Sequence, residues 1–120
     1  MLQKLQLTDK EANDLFALNR RESMSYIREQ LEKGITVICS RYAFSGAAYT
    51  IANGKMTVQQ AVEPDRGILV PDFTLFLHAD ANTLKQRYDS QDRYENVRFQ
   101  QTVLQSFYQV QKLPNVGTWV

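Results

Sequence analysis

The chain has 120 residues, 43% of them hydrophobic and 22% charged, with a formal net charge of +1. This composition is that of an ordinary globular protein rather than a disordered one, and the near-neutral balance excludes general attraction to nucleic acid or an anionic membrane. The length fits one domain, able to bury about two thirds of its unfolded surface. The single cysteine, Cys39, cannot form an internal disulfide and lies in an apolar run, which suits a reducing cytoplasm or nucleus. No apolar stretch approaches the roughly 18 residues of a membrane span. Met1-Leu2-Gln3-Lys4-Leu5 lacks the apolar core of a signal peptide, so a soluble intracellular protein is expected.

Thr8 followed by Glu11 has capping-box spacing, in which hydroxyl and carboxylate each satisfy an orphan backbone N–H. Ala12, Leu15, Phe16, Ile27 and Leu31 follow at helical spacing and Gly34 supplies a stop, which predicts one helix over about residues 9–33. The run Ile35-Thr36-Val37-Ile38-Cys39 has no polar alternation and predicts a strand covered on both faces. It delivers Arg41 to its carboxyl end, where ligands bind in open α/β sheets. Phe44 to Ile51 reads as a helix beginning just past that arginine, and Thr57 caps a short helix running to Val62. Pro64-Asp65-Arg66-Gly67 breaks it.

Pro71-Asp72 introduces a second strand, Phe73-Thr74-Leu75-Phe76-Leu77, and Asp80 caps a helix near 81–87. Tyr88-Asp89-Ser90-Gln91-Asp92-Arg93 reads as a loop. The last helix, about 95–112, carries Phe99, Val103, Leu104, Phe107 and Val110 on one face, and Trp119-Val120 is a candidate third strand. This order is that of an α/β fold. Two convincing strands make a poor sheet, so the chain reads as the middle of something larger.

The phosphate cradle G-x-x-x-x-G-K-[ST] is not found: beside Gly54-Lys55, Met56 follows where Ser or Thr is needed and Tyr49 occupies the first glycine's place. The lone His78 has no Cys or second His to make a metal site and reads as structural. What remains is a set of arginines and aromatics at element ends. Phe16 and Arg20, four apart, share a helical face, where a ring can stack on a base while the guanidinium reads its carbonyl edge. Spacing alone favours the plainer arrangement, a core Phe16 and a solvated Arg20. Arg41, Ser45 and Tyr49 follow the first strand, and Arg87 and Arg93 bracket a loop that could close over a phosphate or simply be solvated.

Together, several ordered segments carry a resemblance. Leu15-Phe16-Ala17-Leu18-Asn19-Arg20, Ser40-Arg41-Tyr42-Ala43-Phe44-Ser45-Gly46, Pro64-Asp65-Arg66-Gly67, Pro71 through Leu77, and Arg93-Tyr94-Glu95-Asn96-Val97-Arg98-Phe99-Gln100 resemble successive motifs of the thymidylate kinases of eukaryotic type. The resemblance covers about residues 7–112. It implies a partial P-loop NTP-kinase fold, three-layered and nucleoside monophosphate kinase-like, as a single incomplete domain over 1–120 with a lid at 87–94. The implied activity is transfer of the γ-phosphoryl of ATP to dTMP with Mg²⁺, giving dTDP for dTTP biosynthesis. By position, Phe16 would stack on thymine and Arg20 would hydrogen-bond its edge. Arg41 would hold the dTMP phosphate, with Arg93 and Arg87 on the lid and Arg93 joining Arg41 in catalysis. Ser45, Gly46 and Tyr49 would line the pyrimidine and sugar side, with Tyr94 near the sugar. A cytoplasmic homodimer follows from the resemblance, with neither nucleic acid nor membrane as partner.

The departures from the family pattern matter. Ser40 stands where the family carries an Asp near the metal, which removes a negative charge from the Mg²⁺ environment. The P-loop strand, with its lysine, precedes the first helix in the family and is not found here, and residues near the adenine are not found after the last strand. In the family that strand lies between the two represented by 35–39 and 73–77, so an unfilled slot is expected. Each buried unpaired backbone group costs about 1–3 kcal/mol. Rearrangement, dimerisation or partial disorder, and weak or no dTMP phosphorylation by this chain alone, are the expectations. A non-catalytic pyrimidine-nucleotide-binding or kinase-interacting fragment is the alternative, and an incomplete gene product a third.

Overall fold

The computed structural model describes residues 7–87 and 93–120. Helices α1 (Asp9–Glu22), α2 (Met24–Glu32), α3 (Ala43–Ala52) and α4 (Val58–Val62) are followed by a 3₁₀ turn (Glu63–Asp65). Strand β1 (Phe73–Thr74), helices α5 (Ala81–Arg87) and α6 (Arg93–Gln111) and strand β2 (Thr118–Trp119) complete the order. The chain divides into two compact units, Met1–Leu69 and Val70–Val120.

In the first unit the predicted caps are present. Glu11 N–H donates to the Thr8 hydroxyl oxygen at 3.1 Å and Thr8 N–H to the Glu11 carboxylate at 3.3 Å. Thr57 and Gln60 make the same reciprocal pair at 3.2 and 2.9 Å. The single helix expected over 9–33 is interrupted at Ser23. Its N–H bonds the Arg20 carbonyl, three residues back, at 3.1 Å, and its hydroxyl donates to the Asn19 carbonyl at 3.3 Å. A mid-helix serine that bonds back in this way tightens the turn and competes with the regular ladder.

The core of this unit is built from small residues. α1 packs on α3 and on the 3₁₀ turn, and α3 on α4. Ala17, Ala43, Ala47, Ala48 and Ala61 are buried, together with Asn13. The expected apolar face of α1 is therefore corrected. Leu15 and Phe16 are 42% and 46% exposed, while Asn13, Ala17 and the partly buried Arg20 line the inward stripe. Asn13 is stable there because its amide donates to the Ala61 carbonyl at 3.0 Å and its carbonyl accepts from the Thr50 hydroxyl at 3.4 Å.

The run 35–39 takes no regular secondary structure and joins no ladder among the described residues, and Ile38 is 89% exposed. The expected doubly covered strand is corrected accordingly. β-branched residues supply propensity, but a strand exists only where another segment supplies its amides and carbonyls.

In the second unit β1 and β2 pair in parallel, Phe73 with Thr118 and Thr74 with Trp119. The pairing extends through Val120 N–H to the Thr74 carbonyl and Phe76 N–H to the Val120 carbonyl, both at 2.8 Å. So the second predicted strand is shorter than 73–77, and the candidate third strand is its partner. Phe76 and Phe107 pack with rings tilted by 45° and centroids 4.8 Å apart, and Trp119 lies 6.1 and 6.4 Å from them. Leu75 and Leu77, on the alternate face, are 72% and 92% exposed. Gly117, at φ 74°, brings β2 so close that a Cβ there would overlap the Pro71 carbonyl oxygen. On α6, Val97, Val103 and Val110 are buried, whereas Phe99 is at the exposed edge of the expected face. The described residues thus form an α-rich chain with one small parallel sheet, compatible with part of an α/β fold.

Candidate functional site

The first unit places the Phe16-Arg20 pair and the Arg41–Tyr49 segment together. Arg20 leaves the inward side of α1 and meets the 3₁₀ turn. Its Nε donates to Asp65 Oδ1 and its Nη2 to Asp65 Oδ2, both at 2.7 Å. The side chains are 16% and 7% exposed, so this two-pronged pair is largely shielded from water. On its other side the guanidinium lies against Gly46 of α3. A Cβ at that position would sit 3.2 Å from Arg20 Nη1 and 3.3 Å from Nη2. Glycine here makes room for a cation. Phe16, one helical turn earlier, remains half-exposed, with its ring available to stack.

Arg21 reinforces the same turn from outside. Its Nη2 donates to the carbonyls of Pro64 at 2.7 Å and of Arg66 at 2.9 Å, on either side of Asp65. Arg66 in turn pairs with Glu63 at 2.9 Å on the surface.

The segment before α3 is held in an unusual backbone state. Arg41 has φ 65°, in the left-handed region that non-glycine residues seldom occupy. Its guanidinium lies over the Tyr49 ring, 5.4 Å from the centroid, a cation–π contact across about two turns of α3. Tyr42 anchors the strained turn: its hydroxyl donates to the Leu69 carbonyl at 2.8 Å and lies 3.5 Å from Met24 Sδ. Burial, then the neighbouring Cys39 and Asp65, pushes the Tyr42 phenol above its ordinary value, so it stays a donor at neutral pH. No side chain caps the first turn of α3, so the positive end of its dipole adjoins Arg41. An exposed arginine, a helix N-terminus and a strained backbone together favour an anion.

Ser45 lies half-buried on α3, one turn before Tyr49. In the second unit, Arg87 is the exposed last residue of α5. Positions 88–92 of the predicted lid and the side chains of Arg93 and Tyr94 lie outside the described residues. Asp80 caps α5 by accepting from Thr83 N–H at 2.7 Å, and these bonds hold its carboxyl below the usual carboxylate value. Two shallow surface hollows, along α2 and α6, contain none of the predicted site residues.

Among the described residues no group of three His, Cys, Asp or Glu side chains converges. Asp65 is engaged by Arg20, and Ser40 offers no carboxylate. Among the described residues, the side chains gathered around Gly46 are cationic and aromatic, chemistry suited to an anion and a flat ring and unlike the oxygen cage that Mg²⁺ takes. Reading the sequence missed Asp65 as a partner of Arg20. The residue stood out only as part of a helix-breaking segment, and nothing local links it to an arginine 45 positions earlier.

The family model described as thymidylate kinase matches residues 1–120. The chain is similar to the thymidylate kinase of Schizosaccharomyces pombe (strain 972 / ATCC 24843), at 40% identity over 111 residues, which are 92% of this chain and 52% of that protein. It is similar also to the thymidylate kinase of Homo sapiens, at 37% identity over 110 residues, 91% of this chain and 52% of the relative. The chain thus spans about half the length of these curated relatives.

Proposed function

The chain belongs to the thymidylate kinase family, and from that premise we propose that it carries the acceptor side of an ATP:dTMP phosphotransferase. In the reaction a dTMP phosphate oxygen bonds to the γ-phosphorus of ATP and the bond to the bridging oxygen breaks. The products are dTDP and ADP. Catalysis of this kind rests on positioning and charge neutralisation, which arginines provide.

The observation that carries this reading is the joining of two distant motifs. The Arg20 guanidinium of the Phe16-Arg20 pair rests on Gly46, within the segment that begins at Arg41. In that arrangement Phe16 stacks on thymine and Arg20 reads its edge. Arg41 binds the phosphate beside the α3 N-terminus, while Ser45, Gly46 and Tyr49 line the sugar and pyrimidine side. Arg87, Arg93 and Tyr94, on a lid over 87–94, complete the proposal on the strength of the family resemblance, with Arg41 and Arg93 as the catalytic arginines. The parent architecture is a three-layer P-loop kinase fold acting as a cytoplasmic homodimer on dTMP and Mg²⁺·ATP. Among the described residues no cluster of three carboxylate, thiol or imidazole groups gathers that would hold the Mg²⁺.

That no cluster of three His, Cys, Asp or Glu side chains forms among the described residues favours a second reading, a pyrimidine-nucleotide-binding or kinase-interacting fragment without turnover of its own. Titration calorimetry with dTMP, with thymidine as competitor, tests the acceptor site: saturable heat supports it and no heat removes it. A coupled ADP-release assay with dTMP and ATP then separates the readings. Turnover near one per second, an ordinary kinase rate, would remove the second.

A further inference from the structure

We infer that Asp65 is a positioning residue for base selection, fixing Arg20 so that the site accepts a pyrimidine with a carbonyl rather than an amino group on its outer edge. The inference rests on the reading above, in which Phe16 and Arg20 receive the base.

A guanidinium has donors and no acceptor. Asp65 takes Nε and one Nη2 hydrogen of Arg20, both at 2.7 Å, leaving Nη1 with no hydrogen-bond partner among the described residues. The plane is confined on more than one side. Asp65 lies at one edge, Nη1 and Nη2 occupy the space a Cβ on Gly46 would crowd, at 3.2 and 3.3 Å, and the helix stem of α1 fixes the approach. Asp65 itself is not free to follow the ligand. Arg21 holds the carbonyls on both sides of it, and its own carbonyl accepts from Ile68 N–H at 3.3 Å.

Two consequences follow from the chemistry. The remaining Nη1 hydrogens form a fixed donor edge, which satisfies a carbonyl oxygen but meets an amino group donor to donor. The carboxylate also neutralises Arg20. An unpaired arginine at the base end would compete with Arg41 for the nucleotide phosphate, and pairing it suppresses that inverted binding mode. Asp65 therefore separates two arginines of one unit into different jobs: Arg20 reads a neutral edge, and Arg41 holds an anion.

The test is calorimetry on the full chain with dTMP and dCMP as probes, comparing the wild type with Asp65→Asn and Glu63→Gln. Asp65→Asn keeps the shape of the side chain but loses the second charged acceptor. Its dTMP affinity is expected to fall about tenfold while dCMP affinity changes less than about twofold, so discrimination collapses. Glu63→Gln breaks only the exposed Glu63–Arg66 pair of the same turn and is expected to leave the ratio unchanged. A merely structural Asp65 would lower the melting temperature and leave the dTMP/dCMP ratio intact, and that result overturns the inference while sparing the acceptor-site reading. Absence of dTMP binding by the wild type overturns both. If Asp65→Asn does not fold, the Arg20 Nε–H resonance of the wild type decides. A shift on adding dTMP that dCMP does not reproduce supports the inference, and identical spectra with the two nucleotides overturn it.

Discussion

The two units of this chain are held together by different physics. The first has a core of alanines, and alanine buries too little surface to stabilise much by area alone. Its elements are tied by directional bonds: Asn13 to Ala61, Arg20 to Asp65, Arg21 to Pro64 and Arg66, and Tyr42 to Leu69. The second unit rests on the rings of Phe76, Phe107 and Trp119 and the valines of α6. Ring burial tolerates small shifts, whereas a two-pronged ion pair does not. The unit that aims arginines is the one built from bonds with direction.

The sharpest way to break this contrast is at Asp65. Asp65→Ala leaves the shielded Arg20 without its carboxylate, and a loss of about 3 kcal/mol is expected in urea unfolding followed by amide signals of the first unit. A loss under about 1 kcal/mol would place Asp65 among ordinary surface charges. Next in size, Phe107→Ala removes the partner of Phe76 and Trp119 and should cost about 2 kcal/mol, since the ring is only partly buried. Hydrogen exchange should report that loss in α6 and the strands rather than in α1 and α3.

A smaller effect is expected from Asn13→Ala, which strands the Ala61 carbonyl and the Thr50 hydroxyl at a cost of about 1–2 kcal/mol. If Asn13→Leu proved more stable than the native chain, the claim that the first core depends on directional bonds would fail. The smallest effect concerns Asp80. Its folded-state value is lowered by the Thr83 bonds, so its contribution to α5 is complete above the ordinary carboxylate value and disappears as pH falls through the lowered one. Carboxyl carbon titration by NMR should place its midpoint below 3.8, and an unshifted midpoint would remove the cap from the account.

Features encoded within a few residues were legible before any coordinates. The capping box at Thr8 and the caps at Thr57 and Asp80 depend on side chains reaching backbone three residues away, and the break after Val62 on the Pro64–Gly67 segment. The order of motifs, more than the Phe16-Arg20 spacing, singled out the residues of the proposed site. The inward stripe of α1 was not legible. Leu15 and Phe16 are the more apolar residues, yet Asn13 and Ala17 are buried because α3 and α4 supply Asn13 with partners. The runs at 35–39 and 73–77 look alike as sequence, and only the second meets another strand among the described residues.

The sequence by itself determined the local order: where helices start, which segment bends, and which arginines stand near element ends. It also determined the family, since ordered motifs identify a lineage without coordinates. Only the tertiary structure decided which arginine is paired with a carboxylate and which lies over an aromatic ring. Arg20 and Arg41 are chemically identical, and no local rule distinguishes them. One is paired with an aspartate brought from 45 residues away and the other rests on a ring of the helix that follows it, because charge pairing depends on distance in space rather than along the chain.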